Sequence, residues 1–293
     1  MSIGDEILRT FKSGGAMVKL IYINLAVFLG INIIYVVFFL FGIPKDSVGL
    51  IQWLAVPAWL PNLAARPWTL ITYMFTHENF LHILFNLLTF YWFSIIFLSY
   101  FDDKKLLNVY ILGGITGAIF YIVAYNAFPA FSSALPASYA LGASASILAI
   151  MIAISTYVPN YSVYLVFIGP IKLKYLAIFF IFIDILSIPA GNAGGHIAHL
   201  GGAFFGWMFT LQYKRGGDIT KWFGKIMDWL FSLFKRRQHI KVTYRRAPAD
   251  DMEYNKIKIE RQSEIDRILE KISKGGYESL SKEEKDTLFK AGK

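Results

Sequence analysis

The sequence predicts an all-α polytopic membrane protein, a bundle of six transmembrane helices with a cytoplasmic C-terminal helical tail. Three observations carry that expectation. Of the 293 residues, 56% are hydrophobic and 17% aromatic, with a mean hydropathy of +0.48, whereas soluble domains rarely repeat apolar runs of about 20 residues. Six apolar segments stand out, near 18–41, 80–100, 105–126, 141–157, 173–188 and 194–213. Basic residues gather on alternate connections: Arg9, Lys12 and Lys19 before the first segment, Lys104 and Lys105 after the second, Lys172 and Lys174 after the fourth, Lys214 and Arg215 after the sixth. The opposite connections hold only Lys45 and Arg66, both in the long first loop. By the positive-inside rule both termini are cytoplasmic. The fourth and fifth segments are short for a hydrocarbon core of about 30 Å, and the 161–169 stretch between them is itself apolar, so five spans is the alternative on length. Only six fits the charge asymmetry.

Taken in order, residues 1–17 form a cytoplasmic N-terminus. The apolar segment that follows is too long for a signal peptide and lacks a small-residue cleavage site, so it reads as an uncleaved first span. The membrane domain runs over 18–213. Its first loop, 42–76, contains W-L-A-V-P-A-W-L-P and R-P-W-T-L. Prolines and Trp53, Trp59 and Trp68 among apolar residues suit an interfacial element at the outer surface, or an ordinary aromatic belt. Residues 214–237 place Trp222, Phe223, Ile226, Trp229, Leu230 and Leu233 at helical spacing between lysines. That suits a basic amphipathic helix on the cytoplasmic leaflet, where each basic residue is worth about 1 kcal/mol, with a calmodulin-like partner as the alternative. Residues 238–255 read as a linker. Residues 256–293 read as a small cytoplasmic helical hairpin: a charged helix to about Ser273, a Gly275-Gly276 stop, and a Ser281/Glu284 capping box. The tail carries much of the +9 net charge. Nucleic acid is not an expected partner, because the basic residues adjoin a membrane and are mixed with acidic ones. Without cysteine, the chain has no disulfide, iron–sulfur or thiol chemistry.

Polar side chains inside a bilayer are costly and usually functional. His77, His82 and Asn86 lie in the outer half of span two, Gly142, Ser144 and Ser146 near the outer end of span four, and His196 and His199 near that of span six. The topology thus gathers two serines, four histidines and an asparagine at one level. The run T-H-E-N-F-L-H-I-L-F-N (76–86) nearly spells the zinc motif H-E-x-x-H, but His77 and His82 are five residues apart, about 140° round a helix. They cannot share an ion unless the helix begins between them. His196 and His199 make a two-helix site conceivable, yet the only acid deep in a span, Asp184, is expected nearer the opposite side of the motif. No metal is expected. Singly, each polar residue reads as interhelical glue worth about 0.6 to 2 kcal/mol. Ser146 and His196 fit that role, Ser146 facing about 200° away from Ser144. The set as a whole fits nucleophilic catalysis: a serine, a histidine to take its proton, and fixed donors for the oxyanion. His82 and Asn86, at i and i+4, share one helix face.

These residues carry a family resemblance. H-E-N-F-L-H-I-L-F-N, then G-A-S, then A-H-L-G-G-A-F-F-G resemble the H-x-x-x-x-H-x-x-x-N, G-x-S-G and A-H-x-x-G-x-x-x-G motifs of rhomboid intramembrane serine proteases, over roughly 18–213. The resemblance implies a rhomboid-like six-helix bundle and a Ser–His dyad without a buried aspartate: Ser144 as nucleophile and His199 as general base. It implies an oxyanion hole from His82, Asn86 and the Ser144 backbone N–H. Gly142, Gly202, Gly206 and His77 are supporting residues, Gly202 and Gly206 letting span six pack on span four and His77 capping or bracing the first loop. The register selects His199 over His196. Glu78 reads as a helix N-terminal acid at the interface. The implied partners are transmembrane protein substrates and membrane lipid, with no cofactor, and the implied location is a bacterial inner membrane. Two positions depart from the family pattern. Ala145 replaces the glycine after the serine, and its methyl is expected beside the oxyanion hole. Trp68-Thr69 stands for a Trp-Arg pair, and Thr69 is expected to change how the loop sits on lipid. The alternative is a catalytically inactive rhomboid-like scaffold that binds membrane proteins. Such relatives typically lack the serine or the histidine.

Overall fold

The computed structural model of the chain describes residues 3–47, 49–165, 168–234 and 251–291. The chain divides into two units, Met1–Phe234 and Lys235–Lys293. The first opens with α1 (Ile3–Ser13) and α2 (Ala16–Leu40). The Ala16 N–H at the start of α2 donates to Asp103 Oδ1 at 2.8 Å, so a carboxylate from another helix satisfies a free amide at the positive end of the helix dipole.

The first loop is folded rather than extended. It contains α3 (Leu50–Leu54), the two-residue strand β1 (Val56–Pro57), α4 (Leu60–Ala65) and α5 (Thr69–Thr72). Trp53 and Trp68 stack with ring centroids 5.8 Å apart, Trp68 Nε1 donates to Trp53 O at 2.9 Å, and Arg66 Nη1 to Gln52 O at 2.6 Å. Thr69 is fully buried, and its hydroxyl donates to Arg66 O at 2.6 Å. The threonine expected to change how the loop sits on lipid is thus packed inside the loop. Trp68 takes the outer position, 43% exposed, and the next residue along the helix turns inward.

Helices occupy all six apolar segments: α2, then α6 (Phe80–Leu98), α7 (Asp103–Ala127), α8 (Ser144–Tyr157), α9 (Leu173–Ser187) and α10 (Ala193–Lys214). Ala16–Leu40, Phe80–Leu98, Asp103–Ala127 and Leu173–Ala190 are long and apolar enough to cross a membrane. α8 and α10 do not reach that measure. At 14 residues, α8 is about 21 Å long against a core of about 30 Å. It is the innermost helix, with every residue from Ala145 to Ser155 buried. α2 and α9 are the reverse: α2 buries only Leu20, Asn24 and Ile31, and α9 only Leu173, Ala177 and Asp184. Their apolar surfaces face outward, as in an integral membrane protein, where lipid replaces water as the outer solvent.

Close packing around α8 depends on glycine. A Cβ on Gly202 would stand 2.0 Å from Ala145 O, and one on Gly206 2.1 Å from Ala149 O, so α10 lies with its backbone directly on that of α8. On the other side, Gly113 and Gly117 of α7 face Ala149 and Ala145. Before α8, the strand β2 (Tyr139–Ala140) pairs antiparallel with β1, Val56 opposite Ala140, and Gly142 N–H donates to Tyr73 O at 2.9 Å. The first loop is thus tied to the residues that lead into α8. Part of the apolar stretch between α8 and α9 is a hairpin of β3 (Ser162–Leu165) and β4 (Gly169–Lys172).

After α10, α11 (Lys221–Phe234) is held to the start of α7 by a Lys104–Asp228 ion pair at 2.9 Å. It leaves Trp222, Ile226, Trp229 and Leu233 exposed. Residues 235–237 of the expected amphipathic helix and 238–250 of the expected linker lie outside the described residues. In the second unit, α12 (Asp251–Gly275) and α13 (Lys282–Ala291) flank a turn in which Gly276 has φ +72°. Ser281 N–H donates to Glu284 Oε2 at 2.8 Å, and Glu284 N–H to Ser281 Oγ at 3.2 Å, a reciprocal capping box.

Candidate active site

Ser144 is the first residue of α8, so its own N–H is among the amides that lack an intrahelical partner. Two anchors hold the chain just before it. One is the Gly142–Tyr73 bond. The other is Ala143 N–H donating to His77 Nε2 at 3.3 Å. His77 is fully buried, and burial, with His82 adding to it, pushes its imidazole down to about 4. It is therefore neutral near pH 7 and can accept through Nε2. His77 braces the approach to Ser144 as well as sitting at the end of the first loop.

Gly142 has φ +116°, a conformation that L side chains rarely adopt. A Cβ there would lie 3.0 Å from His82 Nε2 and 3.9 Å from Ser144 Oγ, in the space between the two. His82, half-buried on α6, therefore approaches Ser144 over a bare backbone. Asn86, one turn on, uses its amide nitrogen to donate to His82 O at 2.8 Å. That nitrogen carries two N–H groups, so one bond does not exhaust it.

From α10, His199 brings Nε2 to 2.6 Å from Ser144 Oγ. The other ring nitrogen corrects the sequence reading. His199 Nδ1 lies 2.8 Å from Asp184 Oδ1, and His196 Nδ1 lies 2.8 Å from the same oxygen. Asp184, expected nearer the opposite side of the motif, is buried against both histidines. It is the twelfth residue of α9 and close to its end, while His196 and His199 lie in the first two turns of α10. The short turn between the antiparallel helices therefore sets them side by side. The helix order already contained this signal, because the twelfth of the fifteen residues of α9 lies at the end that leads into α10. His196, read as glue, joins the same carboxylate. Ser146 points away, its Oγ 3.8 Å from Met74 Sδ.

Ser144, His199, His82, Asn86 and Asp184 line one cavity of about 800 Å³, walled by apolar residues such as Phe85, Met151 and Phe180. Ala145 is not in its lining. The Ala145 methyl points at Gly117 of α7 and is 2% exposed, which corrects the expectation that it stands beside the oxyanion hole. Asp184 Oδ1 and the Nδ1 atoms of His196 and His199 lie within 4.8 Å of one another, a donor set of the kind that can hold zinc.

Comparison with known proteins gives a match to the Rhomboid domain family over residues 64–215 and to a family of unknown function, DUF6576, over residues 250–290. The chain is 34% identical over 162 residues to "RHOMBOID-like protein 12, mitochondrial" of Arabidopsis thaliana. The match covers 52% of this chain and 48% of the relative, so the chain spans about half of that protein's length. The relative's name places it in a mitochondrion, and the expected bacterial inner membrane gains no support from it.

Proposed function

The chain belongs to the rhomboid family, and from that premise we propose that it is an intramembrane serine endopeptidase of six transmembrane helices that cuts transmembrane segments of other membrane proteins near the outer leaflet. The observation that carries this reading is the 2.6 Å approach of His199 Nε2 to Ser144 Oγ at the wall of a cavity shared with His82 and Asn86. His199 takes the serine proton as Oγ attacks a scissile carbonyl, then passes it to the leaving amide nitrogen. Water completes the cycle by hydrolysing the acyl-enzyme. The Ser144 N–H at the head of α8, the His82 ring and the free Asn86 N–H stabilise the oxyanion, each donor worth about 10²–10³ in rate. A substrate helix unwinds locally to present its carbonyl, which is tolerable in a bilayer only within such a polar, protein-lined cavity. Both termini are cytoplasmic and α11 lies on the cytoplasmic leaflet.

The test is cleavage of a model transmembrane substrate by purified enzyme in detergent. Ser144→Ala should abolish it, and a fluorophosphonate probe should label the wild type but not that variant. Activity that survives in Ser144→Ala, or that a chelator removes, would show that the serine mechanism is wrong. A folded wild type that neither cleaves nor labels would support the inactive scaffold.

A further inference from the structure

We propose that Asp184 is a positioning residue for His199, making the site a Ser144–His199–Asp184 relay, with His196 steadying the carboxylate from a second side. This rests on the serine-protease reading above and adds a third member to it. Asp184 Oδ1 stands 2.8 Å from Nδ1 of His199, while the other nitrogen of that ring stands 2.6 Å from Ser144 Oγ. One imidazole thus joins an oxygen that only accepts, when ionised, to a hydroxyl that must lose its proton.

The chemistry follows from hydrogen-bond roles. An ionised carboxylate has no proton to give, so Nδ1 carries the hydrogen and Nε2 keeps its lone pair toward the serine O–H. When Oγ bonds to the carbonyl carbon, the hydroxyl proton moves to Nε2. The imidazolium then donates Nδ1–H to Asp184, whose buried carboxylate offsets the new positive charge. As the C–N bond breaks, that proton leaves Nε2 for the departing nitrogen, and the carboxylate is never protonated. His196 Nδ1 lies 2.8 Å from the same oxygen, fixing the carboxylate from one turn earlier on α10. A buried aspartate could serve only as glue between α9 and α10. Glue, however, does not require that the bonded imidazole also reach the nucleophile.

The test is Asp184→Asn in the full-length enzyme. The expected result is a fall in kcat of about 10²–10⁴, with KM changed less than about threefold. Asp184→Glu should recover part of the lost kcat. A lower melting temperature with kcat within twofold would reduce Asp184 to glue and overturn the proposal. A second measurement needs no variant at Asp184. The chain has five histidines, so ¹⁵N-histidine NMR of the wild type is tractable, with His199 assigned from a His199→Gln sample. Protonated Nδ1 and unprotonated Nε2 on His199 support the relay, and the opposite tautomer contradicts it. The Ser144→Ala experiment decides the underlying reading independently, since its failure leaves kcat in the serine-less enzyme.

Discussion

At Gly142 one missing side chain serves two purposes. Its φ of +116° excludes most residues, and the space where a Cβ would stand separates His82 from Ser144. Gly142→Ala should therefore lower kcat/KM at least tenfold as well as the melting temperature, since strained backbone of this kind costs on the order of 1–3 kcal/mol. His77 offers a pH-dependent test. Its folded value is about 4 against an ordinary 6.5, so the unfolded state binds the proton more readily. Stability from the neutral ring is complete above about pH 6.5 and is lost as pH falls toward 4. The melting temperature of the wild type should drop across that window, and that of His77→Gln should drop less. Residue types and spacing made Ser144, His199, His82 and Asn86 legible as candidates. They did not reveal where Ala145 points, because the direction of a methyl depends on which neighbouring helix supplies a glycine. Asp184 was missed although its place near the end of α9 puts it beside the start of α10.

At the scale of elements, α10 sits on α8 through Gly202 and Gly206, where an added Cβ would reach a backbone carbonyl. Gly202→Ala should lower the melting temperature markedly and weaken cleavage, because backbone cannot yield as a side chain can. Gly30→Ala on α2, where nothing lies within 4 Å, is the control and should be close to neutral. In the second unit, hydrogen bonding from Lys271 holds the Glu284 carboxyl below its ordinary value of 4.5. The capping box therefore stabilises α13 above that pH and weakens as pH falls below it. In the intact chain, Ser281→Ala should reduce hydrogen-exchange protection of α13 about fivefold, the equivalent of a lost N-cap of about 1 kcal/mol. The helices α2 and α6 to α10 were legible from apolar runs, and the capping box from its i, i+3 spacing. The hairpin at 162–172 and the small helices of the first loop were not. Their register is set by contacts with distant residues, such as Val56 opposite Ala140, that no local pattern contains.

For the whole molecule, four helices are long and apolar enough to cross a membrane, and α8 falls short of that length at 14 residues because it is buried within the bundle. A helix sheathed by others has no need of lipid-facing length. The absence of cysteine makes topology directly measurable by single-cysteine variants in sealed vesicles. Ser133→Cys and Ala190→Cys should react with an impermeant maleimide from the outer side. Lys12→Cys and Tyr164→Cys should react only after permeabilisation. Outer labelling at Tyr164→Cys would replace six spans by another count. The central claim, that Ser144 is a nucleophile served by His199, is tested most directly by one measurement: turnover of a transmembrane substrate by purified wild type and Ser144→Ala, in the same detergent and in the presence of a chelator. The account predicts chelator-resistant cleavage by the wild type and none above background by the variant; equal cleavage by both would contradict it.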